Sequence, residues 1–242
     1  MQLTLPLRLR GRRLRRFARS LGRCESGLGL TEFAFAIPIL MTLGLVGLEI
    51  SWLTLAHLKV SNIAMMTADN ASRVRDSIDE GNVTELFTGA TMAGASMNFA
   101  ARGRIILYSI EPNAANTRQW IRWQRCTGSK AVNPTYGRPK TAAGANITNG
   151  TEIYNIDRVT PSTNPSSATG ATATAIGPTG NQIAAQSGTA VNMAEVYYDY
   201  QPLLAGNLLG NITIHRVAAF NTRQRTNQSI TNGARVTPAS CG

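Results

Sequence analysis

From Phe33 to Leu58 the chain runs 26 residues with one fixed charge, Glu49, and one further titratable side chain, His57. A helix crosses a bilayer core with about 20 predominantly apolar residues. This run is long enough, so the rest of the chain has to be arranged around it. A carboxylate, Glu32, stands at its entrance. An ionisable group at the edge of a membrane helix costs on the order of a few kcal/mol, which points to a task beyond anchoring. Pro38 lies about one turn inside, where a helix either kinks or has its freed carbonyl re-satisfied by neighbours. Gly44 and Gly47 give a small-residue face that lets another helix approach. Glu49 follows Phe33 by 16 residues, about 24 Å along a helix. That places it beside Trp52 at the outer boundary, within reach of water.

Charge is divided unevenly. Met1 to Gly27 holds eight arginines and one acid, Glu25, and so carries +7 of the chain's +11. The high pI therefore describes the leader and not a domain. Arg-rich segments also serve as nucleic-acid arms. Here the cluster abuts a membrane-length apolar run, where excess Lys and Arg mark the cytoplasmic side. The expected orientation is N-terminus inside and residues 59–242 outside, with no nucleic-acid partner. A conventional secretory signal has an apolar region of about 7 to 15 residues with its cleavage site behind it. The run here is nearly twice that length. A twin-arginine signal on Arg15-Arg16 fits the residues that follow poorly.

Past the span, Ala56, Val60, Ile63, Thr67, Ala71, Val74 and Ile78 recur at steps of three and four, a stripe along one helix face. Glu80-Gly81 is expected to stop that helix. A second amphipathic piece, 83–101, offers Leu86, Phe87, Ala90, Met97 and Ala101 for burial, and Gly103 ends it. Strand character begins at 104. Residues 104–110 and 118–124 are β-branched and aromatic runs around Pro112-Asn113 and Asn116, which reads as a hairpin. A second pair, 191–200 and 211–220, flanks Pro202-Leu203-Leu204. Connections this short favour antiparallel pairing. Residues 141–182 are rich in Thr, Ala, Gly, Asn, Ser and Pro, with too few large apolar groups to offset ordering entropy, and are expected to form loops. The tail past Arg223 is polar and expected to be loose. The fold class is α+β: a transmembrane helix continuing into a helical stalk, then a small antiparallel β-rich domain.

The order Gly27-Leu28-Gly29-Leu30-Thr31-Glu32-Phe33, set between an Arg-rich leader and an apolar helix, resembles a pilin-type precursor junction. With the helices and β-rich region behind it, the chain resembles the TadE-like minor pseudopilins of the tight-adherence (Tad) branch of type IV pilus machinery. The likeness extends to 121–126 (IRWQRC), Tyr136-Gly137 and 196–203 (VYYDYQPL). It implies a pilin-like fold and an inner-membrane precursor cut by a prepilin peptidase after Gly27, with Leu28 as the new N-terminus. Glu32 would be the fifth-position acid and Phe33 the first residue of the apolar run proper. Gly29 offers an alternative cut. If Leu28 becomes the N-terminus, Glu32 stands four residues on, on the same helix face. A carboxylate held away from water needs a cation, and the α-amino group of a neighbouring subunit would supply one and set axial register. The domains implied are a cytoplasmic leader (1–27), a transmembrane helix (28–58), an extracytoplasmic helical region (59–103) and a periplasmic β-rich domain (104–242). Implied partners are the inner membrane, the prepilin peptidase, other Tad pilins and pseudopilins, and the secretion platform. TadG-like relatives carry a metal site needing Asp-x-Ser-x-Ser, which this sequence lacks.

Cys24 falls in the leader, on the reducing side. Cys126 and Cys241 both fall outside, where disulfides persist, and are the candidate bridge. Catalytic signatures are missing. Only His57 and His215 are present, and no Gly-x-Ser-x-Gly, His-Glu-x-x-His or Walker pattern occurs. No cofactor, metal or catalytic residue is expected. Glu195, Tyr197 and Asp199 alternate along one strand and read as a solvated edge; Asp157 stands apart from them. The rival reading is a signal-anchored envelope binding protein that never enters a pilus.

Overall fold

The computed structural model describes residues 26–113, 116–139, 174–204, 210–225 and 227–241. Residues 1–25, with Cys24, lie outside them. So do residues 141–173, which include most of the Thr/Ala/Gly-rich stretch and Asp157. The chain divides into two compact units, Met1–Ser51 and Trp52–Gly242.

One helix, α1, runs from Ser26 to Arg73 and belongs to both units. In the first unit it contains Pro38, and the Thr42 hydroxyl donates to the Pro38 carbonyl at 2.7 Å. Its apolar side chains there lie open: Leu28, Leu30, Phe33, Phe35, Ile39 and Leu40 are all more than 60 % exposed.

In the second unit the expected stripe is the buried face of α1. Ala56, Val60, Ile63, Thr67 and Ala71 are all covered. The helix ends at Arg73, earlier than Glu80-Gly81, and Asp76, three residues on, takes a left-handed φ of 59° that no continuing helix could hold. Its last carbonyls are satisfied from the tail: Arg225 donates to Ala71 and Val74, and the Arg223 N–H to Ser72 at 3.0 Å. Glu80-Gly81 starts a helix instead. After the short strand β1 (Ile78–Asp79), Asp79 caps α2 (Glu80–Ala93) in a capping box, with the Asn82 side chain accepting from the Asp79 N–H at 3.0 Å.

The second helical stretch is broken into three pieces, α2, a 3₁₀ turn (Ala95–Met97) and α3 (Phe99–Arg102). Asn98, left-handed at φ 53°, separates the last two pieces. The Phe99 ring is buried, and a Cβ on Gly94 or Gly103 would come within 3 Å of it. Phe99 thus takes the core place expected of Ala101, which is exposed.

Four antiparallel strands follow: β2 (Gly103–Pro112), β3 (Gln119–Thr127), β4 (Val191–Asp199) and β5 (Thr213–Asn221). Their order is β3-β2-β4-β5, with a register shift in β2–β3 at Ser109/Ile110. The fold is α+β. Both sheet faces are covered. The helices pack on Ile105, Leu107, Trp123, Ala194, Val196 and Tyr198. Loop residues Tyr136, Ile176, Ile183 and Ala185 pack on Ile106, Tyr108, Ile110 and Met193. The hairpin and the second strand pair stand where the β-branched runs place them.

The tail is ordered, contrary to expectation. β6 (Ile230–Thr231) pairs in parallel with β1, an exception to the antiparallel pattern, and Asp79 accepts from Thr231 and from the Gly233 N–H. The Cys126 N–H donates to the Ala239 carbonyl at 2.8 Å, and Cys126 and Cys241 form a disulfide. That bridge closes a loop of 115 residues, nominally about 4 to 5 kcal/mol of unfolded-state entropy.

Candidate functional site

Two places concentrate unusual chemistry, one in each unit. In the first, Gly27, Leu28, Glu32 and Phe33 occupy the opening turns of α1. Leu28 and Phe33 are 65 % and 61 % exposed, and Glu32 is exposed with them. The Thr31 hydroxyl back-bonds to the Leu28 carbonyl at 2.7 Å, the local bond a threonine makes inside a helix. A Cβ at Gly27, Gly29, Gly44 or Gly47 would meet nothing within 4 Å, so packing within the chain does not require glycine there. The described helix is long and apolar enough to cross a membrane. Glu49, expected to reach water, is 7 % exposed.

In the second unit a carboxylate is fully enclosed. Glu195 is 0 % exposed on β4, an interior strand, so the reading of 195–199 as a solvated edge is wrong. β4 lies between β2 and β5, and the loop carrying Thr135 and Tyr136 covers its outer face. Glu195 Oε1 accepts from Tyr197 Oη at 2.7 Å and faces His215 Nε2 at 3.1 Å. Oε2 accepts from Tyr108 Oη and from the Thr135 N–H at 3.3 Å. The His215 ring stacks on Tyr197, centroids 4.3 Å apart. Burial alone would raise the Glu195 carboxyl, but the hydrogen bonds from His215, Thr135, Tyr108 and Tyr197 outweigh it and hold the group below the usual carboxylate range. Burial, with the hydrogen bond and negative charge of Glu195, pushes the Tyr197 phenol up to about 12 despite the Thr135 contact. Both carboxylate oxygens are taken, so this is a clamp holding the covering loop to the sheet. Asp199 lies further along β4, on Lys130 at 2.5 Å.

No family model matches this chain, and no curated protein or solved structure does. A second buried pair, missed in the sequence reading, joins α2 to β3: Arg125 Nε lies 2.8 Å and 2.9 Å from the two Glu80 carboxylate oxygens, with both side chains enclosed. The sequence signal was a pair of arginines, Arg122 and Arg125, set among the apolar and aromatic residues of 120–126. A third pair, Arg122–Glu111 at 3.1 Å, lies beside it on the sheet. Cys126 and Cys241 are joined to each other, and among the described residues no cluster of His, Cys, Asp or Glu could hold a metal ion.

Proposed function

We propose that the chain is a minor pseudopilin of the TadE-like type, processed by a prepilin peptidase and taking part in assembly of a Tad adherence pilus. The observation that carries this reading is the junction. A glycine, then a carboxylate five residues on, opens a single long helix whose next residues are apolar and exposed. The Arg-rich leader stays on the cytoplasmic side of the inner membrane and residues 59–242 stand in the periplasm, an oxidising setting compatible with the Cys126–Cys241 bridge. After removal of residues 1–27 the apolar helix passes from the bilayer into a bundle of such helices. Gly44 and Gly47 have no packing duty within the chain and allow close approach there. The Glu32 carboxylate meets the Leu28 α-amino group of a neighbour and fixes axial register.

The test is Glu32→Ala in the native assembly system. A charge-assisted bond of this kind is worth about 1.5 to 3 kcal/mol, so assembled material should fall by about ten- to a hundredfold while membrane insertion is unchanged. Unchanged assembly in Glu32→Ala would leave a plain signal-anchored envelope protein as the better reading.

A further inference from the structure

The two ends of the second unit differ in charge and in what they leave exposed. α1 enters this unit at Trp52, where Trp52, Leu55, Ala56 and Lys59 surround a small hollow with Tyr198 and Tyr200. At the other end of the sheet the Asn192 amide donates to Ser72 Oγ at 3.2 Å. α1 therefore runs along the sheet from the Tyr200 end to the Asn192 end. After Tyr200, β4 passes into its connection to β5, where residues 201–210 hold four leucines and no charge in sequence. Leu203 and Leu204 lie among the described residues, 50 % and 52 % exposed. Outside α1 the only other large apolar side chain left so open among the described residues is Met92. Scattered single cases are ordinary on a surface, but an adjacent pair in a chargeless connection calls for a reason.

Cations gather at the same end. Lys59 Nζ stands 5.9 Å from the Trp52 ring centroid and donates to Ser96 Oγ at 2.7 Å. Arg216 donates to His57 Nδ1 at 2.8 Å. Lys130 lies 2.5 Å from Asp199, and the exposed Arg102 is within electrostatic reach of the same carboxylate. Against these four, the described residues of this end set one open carboxylate, Asp199, since Glu195 is enclosed by its own donors. Asp69, Asp79 and Glu111 stand at the far end, beside the tail.

We propose that the Tyr200 end is a lipid-docking surface, where Leu203 and Leu204 enter the headgroup region of an anionic bilayer and Lys59, Arg102, Lys130 and Arg216 face its phosphates. This rests on the reading of α1 as a membrane span. The occupant follows first from continuity with that span. Trp52 is the first residue of the second unit and the last aromatic of the apolar run, and Trp and Tyr are the side chains that settle at a lipid boundary. Tyr200 shares the hollow beside it. Leu203 and Leu204 follow Tyr200 by three and four residues, so full extension keeps them within about 14 Å of it. The second argument is charge. An excess of cations beside apolar side chains supplies the two contributions that hold a surface on anionic lipid, electrostatic attraction and apolar burial.

The experiment uses the full-length chain, with Cys24→Ser as background and Cys126 and Cys241 joined, in phosphatidylcholine vesicles with and without phosphatidylglycerol. A nitroxide is attached at Gln201→Cys, the exposed neighbour of the leucines, and in a separate chain at Gly44→Cys within the apolar run. Collisions with oxygen, which concentrates in lipid, are compared with collisions with a water-soluble nickel chelate. The expected result is a lipid-side label at both positions in the anionic vesicles. Burying apolar side chains of this size is worth about tenfold or more in docked population. Leu203→Ser with Leu204→Ser should therefore raise nickel contact at Gln201 by about that factor, with the melting temperature unchanged. A Gln201 label that stays in water while Gly44 lies in lipid overturns the docking and leaves the span intact. A Gly44 label in water removes the span, and the docking with it. A Gln201 label shielded from both reagents is covered by protein and overturns the proposal. Equal burial without phosphatidylglycerol overturns it as well, because the cations would then have no part in the contact.

Discussion

Glu80→Ala is expected to lower the stability of the second unit by about 3 to 5 kcal/mol, the cost of leaving a buried charge without its partner. Arg125 is enclosed, and Glu80 takes its Nε with both carboxylate oxygens. The Gln124 carbonyl, which accepts from the guanidinium at 2.9 Å, carries no charge to replace that of the carboxylate. The loss also uncouples α2 from β3, since the pair ties the first turn of one to the C-terminal part of the other. Set against a total of about 5 to 15 kcal/mol for a typical domain, this is a large share. Thermal unfolding of the full-length chain in detergent, followed by the fluorescence of the buried Trp120 and Trp123, should show a melting temperature lower by about 10 °C or more. Replacing the pair together, Glu80→Leu with Arg125→Met, should recover most of the loss, because an apolar pair of similar volume has no desolvation penalty. A loss below about 1 kcal/mol in Glu80→Ala would mean that water reaches Arg125.

The second large effect is at Glu195, and it is pH-dependent. The unfolded carboxyl titrates near its ordinary 4.5, and the folded one lies lower. A depressed carboxylate contributes stability that is fully present above the unfolded value and is lost as pH falls through the folded one. Glu195→Gln removes that contribution. At neutral pH it costs about 1.5 to 3 kcal/mol, because an amide nitrogen is set among groups that donate: two phenols, an imidazole and an N–H. The expected result is a clear difference between wild type and variant at pH 7 that narrows below about pH 4.5. Free energies from denaturant unfolding between pH 3 and 7 measure it. A constant difference across that range would mean that Glu195 is not ionised in the folded protein.

The elements readable from the sequence were those with a strong local period. The α1 stripe from Ala56 to Ala71 is a spacing pattern with one physical outcome, and the β-branched runs became β2 to β5. What escaped was tertiary. Glu195, Tyr197 and Asp199 alternate as on a half-solvated sheet, yet a loop covers that face. Nothing local to β4 encodes the cover, because Thr135 and Tyr136 lie some sixty residues earlier. The tail looked loose because its own composition is polar. Its order comes from what it meets: the end of α1 at Arg225, Asp79 at Thr231 and Gly233, and Cys126 at Cys241. Glu80-Gly81 read as a stop because glycine often follows a helix. The capping Asp79 just before it carried the opposite and stronger signal.

The junction at Gly27 and Leu28 is the central claim, and one measurement addresses it directly: the intact mass of the protein recovered from its native membranes, with its N-terminal sequence. Processing at that junction gives a chain that begins at Leu28, lighter by residues 1–27 and without their eight arginines. A chain that still begins at Met1 or Gln2 would contradict it and leave an anchored protein that is never processed for assembly.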